Sequence, residues 1–96
     1  MRPHHLERLA ESVARLAAEF LGRHRGEPLV TVSSARINKS GKAATILLTV
    51  YPTEMAGAVL AETRRRRSEL RDFLDARLRG NQLTHVDFAL EPLAKL

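Results

Sequence analysis

Arg64, Arg65, Arg66 and Arg67 are consecutive, and Arg71, Arg77 and Arg79 follow shortly after them. Guanidinium groups repel one another, and arginine cannot shed its proton to relieve the repulsion. A chain that keeps such a cluster on an ordered element implies an anion for it to meet, and phosphate matches the planar donor fork best. Four successive helical residues spread over about 300° of a helix circumference. They cannot share one solvent face, so some must flank a sheet or a break in the helix. Lys39 and Lys42, in a turn-like segment, and Arg36 before it would extend the same positive surface if that turn packs beside the second half of the chain. The competing reading is a solvated helix face whose arginines pair with Glu62, Glu69 and Asp72, each exposed pair contributing only ~0–1 kcal/mol. For Arg71 and Arg77, intramolecular pairing with Asp87 or the helix carboxylates is the alternative role.

Other chemistry finds little support. His4 and His5 are adjacent and cannot share a helix face, while His24 and His85 are isolated. With no cysteine in the chain, neither thiolate ligation nor a disulfide framework is available. Ser12, Ser33 and Ser34 have no neighbouring base, and Asp72 and Asp75 sit among arginines, where ion pairing is the natural role. Gly41 stands alone rather than in a phosphate-cradling loop. The sequence therefore predicts a binding protein, not an enzyme, with no metal and no cofactor.

The balance of charge agrees. The 96 residues carry a formal net charge of +5 and a pI near 10.7, the composition of a small domain that meets nucleic acid or an acidic surface. Length predicts a single domain over residues 1–96. Phe20, Tyr51, Phe73 and Phe88 are the only aromatics, too few for a sheet that stacks splayed bases. Any RNA contact is expected to be mostly to phosphate and shape. No apolar run approaches the ~20 residues of a membrane span, and the N-terminus lacks the apolar core of a signal peptide. A first helix with basic and acidic residues in near balance is not an interfacial helix. These features predict a cytoplasmic protein with no membrane partner.

The elements that must position the arginines can be read from periodicity. Leu6, Leu9, Ala10, Val13, Leu16, Ala17, Phe20 and Leu21 recur at helical steps and predict an amphipathic helix closed by Gly22 or Gly26. Leu29–Ile37 and Ala44–Tyr51 read as strands joined by Asn38-Lys39-Ser40-Gly41-Lys42, an antiparallel hairpin. Pro52 ends the second strand, with Thr53 as an expected helix N-cap. The segment from Glu54 to Arg67 has helical composition but only a thin apolar stripe through Met55 and Val59, weakened by Gly57. From Leu70 the stripe is stronger (Leu70, Phe73, Leu74, Leu78), and the change of phase predicts a kink or a junction of two helices near Ser68. Gly80-Asn81 closes this helix. Thr84–Leu90 alternates as a half-buried strand, Val86, Phe88 and Leu90 on one face and His85, Asp87 and Ala89 on the other. The predicted fold class is α+β, in the order α-β-β-α-kink-α-β, with a three-stranded sheet covered by helices on one face.

In order and spacing the chain resembles the ribosome-binding factor A family, assembly factors of the bacterial small ribosomal subunit. Leu70-Arg71-Asp72-Phe73-Leu74-Asp75-Ala76-Arg77-Leu78 is similar to the family pattern I-R-x-x-L-x-x-R-L, with Leu70 for isoleucine. Thr84-His85-Val86-Asp87-Phe88 resembles P-E-L-x-F, keeping only the phenylalanine. Val30-Thr31-Val32, Ala44-Thr45-Ile46 and Arg8-Leu9-Ala10 fit the family's first half. The resemblance implies a K-homology fold of the bacterial, type II-like kind. It also implies binding to 16S rRNA and the free, immature 30S subunit, assistance to pre-rRNA processing, and action as a monomer without a cofactor. The RNA-binding residues it suggests are Arg64, Arg65, Arg66, Arg67, Arg71, Arg77 and Arg79, with Lys39 and Lys42 secondary. Arg66-Arg67-Ser68 falls where the family carries Ala-x-Gly at its helix joint, and Ser40 stands where it carries an aspartate. The alternative function is a basic module that docks an acidic protein surface.

Overall fold

The computed structural model describes residues 3–22 and 28–92; Gly26 and His24 lie outside them. Helix α1 (Pro3–Leu21) leads to β1 (Leu29–Ile37) and β2 (Ala43–Tyr51). A 3-10 turn (Thr53–Met55), α2 (Ala56–Arg64), α3 (Arg67–Arg77) and β3 (His85–Leu90) follow. Strand order is β1-β2-β3, with β1 antiparallel and β3 parallel to β2. This is the α+β arrangement that periodicity predicts.

Alternation decides which side of the sheet is covered. Val32 pairs with Leu48, Ala35 with Ile46, and Ile46 with Phe88, so these side chains point to one face. There they meet Val13, Leu16 and Ala17 of α1 and Leu70 and Leu74 of α3. Phe88, Ile46, Leu48, Leu70, Leu74 and Val13 are the largest fully buried side chains. A bulge between Val32 and Ser34 keeps the inward phase of β1 across an extra residue, and the Ser33 hydroxyl donates to the Leu47 carbonyl (3.2 Å). The apolar half of each periodic pattern thus becomes one shared core.

The local stops are chemical. Gly22 takes φ +73° and its N–H donates to the Ala18 carbonyl, ending α1 in the left-handed conformation that glycine adopts without a Cβ penalty. In the hairpin the Asn38 Oδ1 accepts from the N–H groups of Lys42 and Ala43 (both 3.0 Å), while Gly41 has φ +76°. This wiring holds Lys39 and Lys42 outward.

Three expectations are corrected. Thr53 is not a side-chain N-cap: it opens the 3-10 turn, whose cap position, Pro52, makes no side-chain bond. Met55 does not supply the inward stripe of α2, being 36% exposed; Val59 and Leu60 are the half-buried residues, and Leu60 packs against the core. The helix junction lies at Arg65–Arg66 rather than near Ser68, because the Arg66 carbonyl already accepts the Leu70 N–H and α3 begins at Arg67.

Leu70→Ala should destabilise the fold by about 2–5 kcal/mol, the range for emptying a fully buried aliphatic site. Met55→Ala should stay within about 0.5 kcal/mol. Urea unfolding of the two variants against the parent checks the assignment of core and surface.

Candidate nucleic-acid interface

The joint between α2 and α3 makes its turn without glycine. The N–H groups of Arg65 and Arg66 donate to the carbonyls of Glu62 and Thr63 (3.2 and 2.9 Å), tightening the last turn of α2. Arg66 then sits at φ −99° and ψ 14°, in the bridge region open to ordinary residues. Thr63, buried at the end of α2, satisfies its hydroxyl on the Val59 carbonyl (2.7 Å). Arginine and serine at positions 66–68 are therefore compatible with the bend, and Ser68 lies exposed within α3.

The four consecutive arginines leave this joint in three directions. Arg64 Nε and Arg67 Nη1 both reach Asp87 Oδ1 at 3.2 Å, across the outer edge of β3. Arg64 Nε also donates to the Phe88 carbonyl (3.1 Å), and the Phe88 N–H donates to Asp87 Oδ1 (2.8 Å). Both backbone groups of Phe88 on the free edge of β3 are thus satisfied by side chains. Arg65 points outward, 79% exposed, with only a loose 3.7 Å pair to Glu62. Arg66 turns to α1 and places its guanidinium 4.5 Å from the Phe20 ring centroid.

Helical spacing continues this division along α3. Arg67 and Arg71 lie one turn apart on the β3 side, and Arg71 Nη1 makes a long 3.5 Å contact to the Thr84 carbonyl. Phe73 and Arg77, likewise one turn apart, lie on the α1 side. Phe73 meets Phe20 edge to face at 5.4 Å, and the Arg77 guanidinium stacks 3.6 Å over Phe73 while donating to its carbonyl (3.2 Å). The leucines between the two basic stripes, Leu70 and Leu74, are buried. The alternative in which Arg71 or Arg77 pairs with Asp87 is corrected: Asp87 is held by Arg64 and Arg67, because β3 passes beside the start of α3 rather than its end.

Lys42 and Arg79 form a second cationic region, with Lys39 on the same hairpin turn as Lys42. Thr84 and His85 donate their N–H groups to the Lys42 carbonyl (2.8 and 3.1 Å), tying the hairpin turn to the loop after α3. Lys42, Arg79 and Thr84 line one open cleft of about 600 Å³, and Arg79, His5 and Ser40 line a neighbouring one of about 150 Å³. All three cations are exposed. This region and the arginine joint lie at opposite ends of α3, roughly 16 Å apart along its axis. Arg36 does not extend either region: it is exposed on β1, paired with Thr45 on the sheet face away from the helices.

The acidity of Asp87 is displaced by its surroundings. Partial burial pushes its pKa up, but the Phe88 N–H and the charges of Arg64 and Arg67 outweigh this and hold it below the ordinary 3.8. Among the described residues no cluster of three or more histidines or carboxylates could hold a metal ion, and no helix is long and apolar enough to cross a membrane. Phe20 and Phe73 were legible in the sequence only as core residues, and Asp87 as an alternative partner of Arg71 or Arg77 rather than of Arg64 and Arg67. The four-residue step from Phe73 to Arg77 was the available signal for stacking.

No protein-family model matches the chain, and no curated protein matches it significantly. Among solved structures, the crystal structure of ribosome-binding factor A from Thermus thermophilus superposes with a TM-score of 0.74 at 22% sequence identity. The match covers 88% of this chain and 93% of that one. The chain has the ribosome-binding factor A fold, which is the fold the sequence resemblance implied.

Asp87→Asn should lower stability at neutral pH, since it removes the carboxylate that joins Arg64, Arg67 and the edge of β3. A depressed carboxyl pKa contributes stability that is present above the unfolded value and lost as pH falls through the folded one. The gap between parent and variant should therefore narrow below pH 3.8, as read by urea unfolding across that range.

Proposed function

We propose that this protein is a small-subunit assembly factor that binds the 16S rRNA of the immature, free 30S subunit and assists pre-rRNA processing, acting in the cytoplasm as a single-domain monomer. The observation that carries the reading is the match, over most of both chains, to a protein named for binding the ribosome. The net charge of +5 supports it, because a cationic surface neutralises backbone phosphates and releases their counterions. The proposed activity is binding rather than catalysis: attachment favours the rRNA conformation for which the surface has greater affinity.

Within this reading the cations divide by their partners. Arg65, Arg66, Arg71, Arg77 and Arg79, with Lys39 and Lys42, are the cations that face the RNA. Among the described residues only Arg65 of this set has a carboxylate partner, and that pair is long and exposed. Arg64 and Arg67 share the single carboxylate of Asp87. They hold the joint against β3 and add the surplus positive charge of a two-to-one cluster.

Co-sedimentation with free 30S subunits across a salt series tests the assignment. Affinity should fall steeply with salt, and both Arg65→Ala/Arg66→Ala and Lys39→Ala/Lys42→Ala/Arg79→Ala should weaken binding. The slope of log affinity against log salt should decrease by about 1 for each phosphate contact removed. Unchanged subunit binding in both variants would sink the assigned surface. Binding to subunits but not to protein-free 16S rRNA would favour docking on an acidic protein instead.

A further inference from the structure

Arg66, Phe20, Phe73 and Arg77 form a continuous ladder across the α1–α3 seam. Its steps are guanidinium to ring at 4.5 Å, ring to ring at 5.4 Å, and ring to guanidinium at 3.6 Å. We infer that this ladder is a stacking platform for unpaired nucleobases, with the outer guanidinium face of Arg77 as the principal seat and Arg66 as the second. The inference rests on the RNA-binding reading and specifies the nucleic acid: a looped or single strand rather than a duplex.

Three observations carry it. At 3.6 Å the Arg77 guanidinium lies at stacking distance from the Phe73 ring, and its bond to the Phe73 carbonyl pins it there. One face of the cation is thereby covered by the ring. The side chain as a whole is exposed, so the opposite face is open to solvent. A planar cation held flat has little freedom left to lose when a base settles on that face, and guanidinium planes are among the surfaces on which unstacked bases stack. Neither Arg66 nor Arg77 is paired with a carboxylate among the described residues. By contrast, Arg64 and Arg67 are turned toward β3 and hold Asp87, so their planes are committed elsewhere.

The ladder also resolves a tension in the composition. Four aromatics are too few for bases to stack directly on rings, and Phe88 is fully buried while Phe20 and Phe73 are half-buried. Through the ladder, Phe73 backs the exposed Arg77 guanidinium, which offers its other face outward, and Phe20 backs the half-buried Arg66 at the longer distance of 4.5 Å. The surface differs from a phosphate grip in one measurable respect: lysine preserves the charge and abolishes the plane.

Arg66→Lys/Arg77→Lys separates the two. Binding is measured to a single-stranded RNA oligonucleotide, to the same sequence in a blunt duplex, and to a single strand with abasic sites in its centre. The parent should prefer the intact single strand over the abasic one by about tenfold, the scale of losing one stacked base. The double variant should lose about tenfold on the intact strand and nothing on the duplex, should no longer distinguish the abasic strand, and should keep its salt slope. Phe73→Leu, with its fold verified by circular dichroism, should show the same pattern with both arginines present. The inference is overturned if the lysine variant binds the intact strand like the parent, or if it loses equally on intact and abasic strands. Absence of binding to any of the three RNAs would overturn the RNA-binding reading itself.

Discussion

A parallel strand pair cannot be closed by a tight turn, and this constraint shapes the whole second half of the protein. Because β3 runs parallel to β2, the chain must travel back over the sheet before it can enter β3. The return path is α2, the joint at Arg65–Arg66, and α3. Its apolar stripe, Leu70 and Leu74, meets Ile46, Leu48 and Phe88 in the buried cluster. The same crossing leaves β3 at the margin of the sheet, with an unpaired row of backbone groups. Side chains of the crossing segment and of β3 itself cover the middle of that row, Arg64 at the Phe88 carbonyl and Asp87 at the Phe88 N–H, while Arg71 reaches more loosely to the Thr84 carbonyl just before the strand.

The arginine cluster consequently has two roles that follow from helix geometry. A helix whose buried ridge lies between two flanks gives one set of arginines to the strand edge and the other to the neighbouring helix. On the strand side the guanidiniums find a carboxylate and carbonyls. On the helix side they find phenylalanine rings, which attract a cation without neutralising it. The second arrangement keeps the charge available to a partner while removing much of the side chain's freedom. Mutual repulsion among adjacent arginines is relieved mainly by dispersal, since the backbone turn at the joint sends their side chains to different neighbours.

The second cationic region arises from a different contact. Lys39 and Lys42 belong to the hairpin and Arg79 to the loop after α3, segments remote in sequence that are joined where Thr84 and His85 bond to the Lys42 carbonyl. The wiring of Asn38 and the positive φ of Gly41 fix the turn from within, so the lysines are displayed by a locally determined structure. The proximity of Lys42 to Arg79, however, depends on the long-range pairing of β2 with β3.

Local chemistry in the sequence was sufficient for most of the architecture. The helical period of α1, the alternation Val86–Phe88–Leu90 and the hairpin signal at Asn38–Lys42 each express a local rule, and each appears in the structure with its buried face as read. Gly22 and Gly80 carry positive φ beside the helix ends, as backbone freedom requires there. Which arginines meet Asp87 and which meet the rings was not legible. Four identical residues in succession carry no internal signal to separate Arg64 and Arg67, which face Asp87, from Arg66, which faces Phe20. Asp87 was visible as an acid near the chain's end, but whether it met the start or the end of α3 depended on the direction and register of β3. The sequence by itself thus determined the elements, the inward faces of α1, α3 and the strands, and the surplus of positive charge, because these follow from side-chain period and composition; the thin stripe of α2 did not fix its face, where Leu60 rather than Met55 packs inward. Only the tertiary structure decided which arginines are engaged and which present their charge outward, because that depends on contacts between residues brought together by a parallel strand pairing no local pattern encodes.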